Sequence, residues 1–280
     1  MFACFAHAGW DPDSLLVTNG TVNAVAVDGS GNVYIGGSFT SVGSGTPANN
    51  IAKWNGTSWD TLGGGLNGPV NAIAVYGINV YAAGTFINKV EWWNGAIWTP
   101  LLIIGTPNVP ISGTVYALAV DGSNGRLYAG GNITNPPSKI IEWSGGNWGP
   151  VSGIPSSGYV SALAINGSVL YAGRSALIME EYIYYLSGTT MVPLTSSINA
   201  DVTSLTYAGG KLYAGGDFTS PGNHIAVWNG SSWSPLGTGV GSTVTAIAVD
   251  TTDNIVYAGE SSAGYMTAWN APGALNTWSV

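Results

Sequence analysis

The chain of 280 residues holds 42 Gly, 12 Trp and 14 Tyr but only 7% charged side chains, a composition of short strands and tight turns whose apolar mass sits in aromatics, unlike a helical enzyme. Its 6 basic against 14 acidic residues leave a net charge of -8 and no basic stripe to neutralise phosphates, which excludes nucleic acid as an expected partner. No run approaches the roughly 18 to 20 apolar residues of a spanning helix, so no membrane insertion is expected, and the single Cys4 excludes a disulfide framework or a multi-cysteine metal site.

The first segment, Phe2-Ala3-Cys4-Phe5-Ala6-His7-Ala8-Gly9-Trp10-Asp11, aligns position for position with Ile51-Ala52-Lys53-Trp54-Asn55-Gly56-Thr57-Ser58-Trp59-Asp60. It is very short and has no basic n-region, so it reads as part of the fold and not as a signal peptide. From Val22 onward the chain is periodic. Segments starting at Val22, Val70, Val115, Val160, Val202 and Val244 align at spacings of 48, 45, 45, 42 and 42 residues.

Each repeat opens with an alternating apolar run such as Val22-Asn23-Ala24-Val25-Ala26-Val27, the pattern of a strand. A polar turn follows, Asp28-Gly29-Ser30-Gly31-Asn32 in the first copy, and then a second strand of the type Val33-Tyr34-Ile35-Gly36-Gly37. The third and fourth strands carry I-A-x-W-N-G-x-x-W, as Ile51 to Trp59 and Ile225 to Trp233. Asn-Gly between apolar runs is a strong hairpin signal because both turn residues must accept positive φ. It recurs at Asn55-Gly56, Asn94-Gly95 and Asn229-Gly230, with Ser144-Gly145 and Ser187-Gly188 in the same slot.

Four strands repeated six times over a single domain, 1–280, predict an all-β six-bladed β-propeller of four-stranded antiparallel blades. Residues 1–21 are then an extra third-and-fourth-strand hairpin, expected to complete the last blade and close the ring. The last repeat also owns Met266-Thr267-Ala268-Trp269-Asn270 and a late Trp278, so the chain holds half a blade more than six blades need. The surplus C-terminal strands either pack outside the ring or add to a neighbour's sheet edge, and both alternatives stand.

The motifs V-x-A-L-A-x-x-G, Y-x-G-G-x-F-T and I-A-x-W-N-G-x-x-W resemble those of kelch-type propellers, and more closely those of secreted or particle-associated repeat proteins, over residues 22–270. The resemblance is specific for fold and nearly silent on function, since propellers host unrelated activities. A kelch-type copper oxidase is not expected, because it needs a cysteine crosslinked to tyrosine and Cys4 lies in a terminal segment.

In a four-stranded meander the turns after strands one and three share one end, and the connections after strands two and four share the other. The second kind vary most, at Thr40 to Asn50, Leu102 to Gly113 and Arg174 to Tyr182, which makes that end the candidate binding face. Trp92, Glu180, Glu181 and Tyr182 are the candidate residues there: Trp92 alone falls off the tryptophan pattern, and the other three form an acidic, aromatic cluster outside the consensus. Eleven of the twelve tryptophans occupy two repeat slots or their N-terminal equivalent, and Leu186 and Met191 replace them in the fourth repeat, so apolar packing between blades explains them better than sugar stacking. The one-acid turns at Asp28 and Asp121 read as turns bonding their own backbone, because calcium loops need several carboxylates.

No H-E-x-x-H or G-x-S-x-G pattern occurs, and His7 and His224 are isolated. The chain is therefore expected to be no enzyme, and to need no catalytic residue, metal or cofactor. It reads as a non-catalytic structural or adhesive subunit that works through protein partners or self-association of its terminal strands. A lectin-like, glycan-binding propeller is the alternative, and a hydrolase or lyase the least favoured. Few lysines with abundant Ser, Thr, Asn and Gly suit an extracellular, cell-surface or particle-surface location.

Overall fold

The computed structural model describes residues 18–105, 108–176, 181–194, 197–262, 265–270 and 274–279. Their strands form six four-stranded antiparallel blades, as the repeats predict, and the described residues contain no helix. The chain divides into two compact units, Met1–Pro150 and Val151–Val280.

In the first unit, blade 1 is Thr21–Val27, Val33–Ser38, Ile51–Trp54 and Trp59–Asp60. A ribbon of Ser41–Val42 and Thr46–Pro47 is inserted after its second strand. Blade 2 is Val70–Tyr76, Asn79–Gly84, Val90–Trp93 and Trp98–Pro100, and blade 3 is Ser112–Asp121, Arg126–Asn135, Ile140–Ser144 and Asn147–Pro150. In the second unit, blade 4 is Tyr159–Asn166, Val169–Ser175, Ile183–Ser187 and Thr190–Pro193. Blade 5 is Val202–Ala208, Lys211–Gly216, Ile225–Trp228 and Trp233–Pro235, and blade 6 is Val244–Asp250, Ile255–Glu260, Tyr265–Asn270 and Ala274–Ser279.

The core lies between consecutive blades. Ile51 of blade 1 packs with Val70, Val80 and Phe86 of blade 2, and Val90 of blade 2 with Val115, Leu127 and Trp148 of blade 3. The second unit repeats the scheme with Ile183 and Leu194 against Val202 and Phe218, and Ile225 against Val244 and Val256. A blade is thus apolar on both faces, with Val, Ala and Leu or Ile of the first strands facing the neighbouring blades.

One irregularity recurs in all six blades: the register shifts by one residue after the opening valine, making Asn23, Asn71, Tyr116, Ser161, Thr203 and Thr245 the bulged residues. In four blades the bulge frees a short polar side chain to tie that blade to the next. Asn23 donates to the Val70 carbonyl at 3.0 Å and Asn71 to that of Val115 at 2.9 Å. Ser161 and Thr203 donate likewise to the carbonyls of Val202 and Val244.

The call for small residues opposite the bulge has a steric origin. A Cβ on Gly37, Gly84, Gly131 or Gly216 would lie 1.9–2.1 Å from a carbonyl oxygen of the first strand's approach, so the second glycine of Y-x-G-G is required in those blades.

Two expectations meet limits or correction. The N-terminal hairpin falls mostly on residues outside those described, whereas blade 6 takes its four strands from residues 244–279 of its own repeat. The C-terminal strands therefore pair within their own sheet. Trp278 is not in the second tryptophan slot, since Trp269 pairs with Leu275 and Trp278 with Met266. In sequence, Ala271-Pro272-Gly273 stands where the other third-and-fourth-strand hairpins carry Asn-Gly or Ser-Gly.

Candidate functional site

The connections after strands two and four share one end within each unit, and side chains hold them in place. In blades 1, 2 and 5 the connection after strand two begins with a buried phenylalanine, Phe39, Phe86 or Phe218, and in blade 3 the buried Ile133 lies near the end of the second strand. An asparagine three residues before the opening valine then clamps the same blade's loop. Asn19 Oδ1 accepts from the Thr40 and Ser41 amides at 2.8 and 3.0 Å, and its Nδ2 donates to Thr40 Oγ1 at 2.7 Å. In blade 5, Asn199 Oδ1 accepts from the Thr219 and Ser220 amides at 2.9 and 3.1 Å, and Nδ2 donates to Thr219 Oγ1 at 3.1 Å. These bonds satisfy loop amides that no strand partner reaches.

Blades 4 and 6 use different chemistry in the same place. The slot filled by the second glycine elsewhere holds Arg174 in blade 4 and Glu260 in blade 6. Arg174 is completely buried; one guanidinium nitrogen donates to the Ser157 carbonyl at 2.6 Å and the other to the Glu181 carbonyl at 3.3 Å, with the guanidinium 5.6 Å from the Tyr184 ring centre. Glu260 accepts from Thr267 at 2.7 Å and from Ser242 at 3.1 Å.

Between blades, Asp201 accepts from the Ser175 hydroxyl and from the Ala176 amide, and Asp217 accepts from Thr243 Oγ1 at 2.9 Å. Asp201, Asp217 and Glu260 are therefore each engaged by neighbouring donors.

Of the candidate residues named from sequence, Glu181 and Tyr182 lie together at this end. The Tyr182 carbonyl accepts from the Arg174 amide at 2.9 Å. Glu180 lies outside the described residues. Trp92 lies elsewhere: it is half-buried against the core between blades 2 and 3, and its indole N–H donates to Asn79 Oδ1 at 2.9 Å, in the turn at the opposite end. Arg174 and Glu260 were missed as individual features, although aligning the six repeats exposes both as breaks in the Gly-Gly slot.

The remaining sequence motifs resolve into packing and turns. Paired indoles cross the outer hairpins at centroid distances of 5.3 Å for Trp54 and Trp59, 5.5 Å for Trp93 and Trp98, 5.4 Å for Trp143 and Trp148, and 5.6 Å for Trp228 and Trp233. Trp98 and Trp148 also donate to the carbonyls of Leu62 and Leu101 in the preceding blade. Asp28 bonds the Ser30 and Asn32 amides, and Asp121 those of Ser123 and Asn124. Burial opposes ionisation of both carboxyls, yet the side-chain bonds from Asn32 to Asp28 and from Ser123 and Asn124 to Asp121, together with these amide bonds, outweigh it and hold both below the usual aspartate value. Burial, followed by the nearby Asp28 carboxylate, pushes Tyr34 up to about 12. His224 sits at φ 64°, its Nδ1 3.1 Å from the Gly216 carbonyl. No group of three or more metal-ligating side chains occurs among the described residues.

No protein-family model and no curated protein matches this sequence. Among solved structures, the chain is similar to a catalytically inactive form of virginiamycin B lyase from Staphylococcus aureus with quinupristin, at 13% identity and a TM-score of 0.68 over 95% of this chain and 87% of that one. It is similar to YCF48 bound to D1 peptide at 16% identity, with a TM-score of 0.60 over 94% and 83% of the two chains. The computationally designed Ika8 protein gives 16% identity and a TM-score of 0.56 over 95% and 90%. At such identities the likeness concerns fold alone: this chain is an all-β, six-bladed β-propeller of four-stranded antiparallel blades.

Proposed function

We propose that this propeller, with kelch-like repeats, is a non-catalytic structural or adhesive subunit of an extracellular, cell-surface or particle assembly, and that it binds protein through the end carrying its long connections. One observation carries the reading: the carboxylates of Asp201, Asp217 and Glu260 all accept hydrogen bonds from neighbouring hydroxyls, those of Ser175, Thr243, and Thr267 with Ser242, and so serve to tie strands and loops together. Such an end offers a shaped, rigid surface for recognition, whereas proton transfer calls for an ionisable group within reach of a substrate. The propeller solved with a D1 peptide supports peptide or protein as ligand class.

The test is selection of a displayed peptide library on the immobilised chain, run beside a glycan array. Peptides that bind reproducibly, and lose at least about tenfold in affinity when Thr219→Arg is placed in the blade 5 loop, support the reading. Glycan binding without any peptide would replace it with the lectin-like alternative, and turnover of a substrate with the lyase or hydrolase one.

A further inference from the structure

The opposite end of the first unit presents apolar side chains where the other repeats present polar ones. In blade 2 the turn between the first two strands is Tyr76-Gly77-Ile78-Asn79, and the turn between the last two is Asn94-Gly95-Ala96-Ile97. Ile78 is 80% exposed, Ile97 61% and Tyr76 51%, and Val27 at the same end of the adjoining strand in blade 1 is 43% exposed. Single exposed apolar residues need no explanation, but a group of them at one end does.

Folding does not account for this group. The slot of Ile97 holds Ser58 in blade 1 and Ser232 in blade 5, whose hydroxyls accept from Asn55 and Asn229 at 3.2 and 3.4 Å. Ile97 cannot accept that bond and returns little burial. Ile78 likewise occupies the place of Ser168 in blade 4, in a turn of the same length.

We propose that this end of blade 2 is a self-association surface, occupied by the same surface of a second copy. Charge argues for that occupant. The chain carries -8 overall, yet residues 66–105 hold one Lys89 and one Glu91, so the patch meets its copy without like-charge repulsion. Asp28 lies in the blade 1 turn on one side, and Arg126 begins the second strand of blade 3 on the other, beside Gly122, over which the Tyr76 ring lies.

A two-fold axis running along blade 2 sets blade 1 of one copy over blade 3 of the other, and so sets each Asp28 against the other copy's Arg126. Asp28 is kept ionised by its turn, and Arg126 leaves 43% of its side chain in solvent while 3.4 Å from Glu142. The contact lies at the opposite end from the proposed protein-binding loops and stands independently of them.

The experiment is sedimentation velocity of the full chain from about 1 to 100 µM, the range in which modest interfaces associate. A reversible dimer is expected. The double variant Ile78→Ser with Ile97→Ser, which installs the residues of sibling turns, is expected to weaken it by about tenfold or more. Arg126→Glu, which turns the flanking attraction into repulsion, is expected to weaken it further at low salt than at high salt. Far-ultraviolet circular dichroism and melting establish that each variant is folded. A chain that stays monomeric leaves the patch to another partner and overturns the proposal, as does a dimer indifferent to the isoleucine changes or to Arg126→Glu.

Discussion

Blades 4 and 5 are consecutive, share one strand order and bury one common cluster, yet they meet the same local demands with different side chains. Blade 5 is regular: Gly216 leaves room for the Asp201 carbonyl, Asn199 clamps the loop, and Trp228 pairs with Trp233. Blade 4 has Arg174 in the glycine slot, Ser157 in place of the asparagine, and Leu186 opposite Met191. The blade therefore asks for something more general than its consensus. It requires loop amides and carbonyls to be bonded and the interblade space to be filled, and either set of residues satisfies both demands.

Exchanging the two solutions tests that equivalence. The largest effect is expected from Gly216→Arg, because a Cβ there would stand 1.9 Å from the Asp201 oxygen. Blade 5 has no compensating change, so the expected loss is about 3 kcal/mol or more in denaturant unfolding. A loss under about 1 kcal/mol would mean that blade 5 opens as readily as blade 4. The reverse exchange, Arg174→Gly, empties a fully buried site over Tyr184 and removes the bonds to Ser157 and Glu181. About 2 to 3 kcal/mol is expected, since backbone strain is not created and only packing and hydrogen bonds are lost.

Asn199→Ala is the mildest change. It should cost about 1 kcal/mol and raise hydrogen exchange at the Thr219 and Ser220 amides, while the Ala176 amide, held by Asp201, stays protected. Equal loss of protection in both blades would show that the clamps act as one network rather than blade by blade.

The repeat architecture was readable in the chain because its periodic signals are local. Val244-Thr245-Ala246-Ile247 reads as a strand and Asn229-Gly230 as a hairpin turn, and each did become one. The candidate site was less readable. Trp92 stood out by breaking the tryptophan pattern, but its ring lies against the neighbouring blade and bonds Asn79. An off-pattern residue in sequence carries no label for the end of the strand at which it acts. Glu181 and Tyr182 fall in a connection after a second strand, because the topology of a meander settles which connections share an end. Arg174 shows its meaning only when its buried partners are seen, for a cation in a glycine slot has no one-dimensional explanation.

By itself the sequence determined the number of blades, the strand order within each and the turn chemistry, since alternation, Asn-Gly pairs and Asp turns act over a few residues. Tertiary structure decided that the residue after each opening valine bulges, that Asn23, Asn71, Ser161 and Thr203 use the bulge to tie the next blade's carbonyl, and that Trp269 pairs with Leu275 in place of Trp278. The reason is one of range. Bulge bonds such as that of Asn23 join residues 47 positions apart, and only the packed blades bring such groups together.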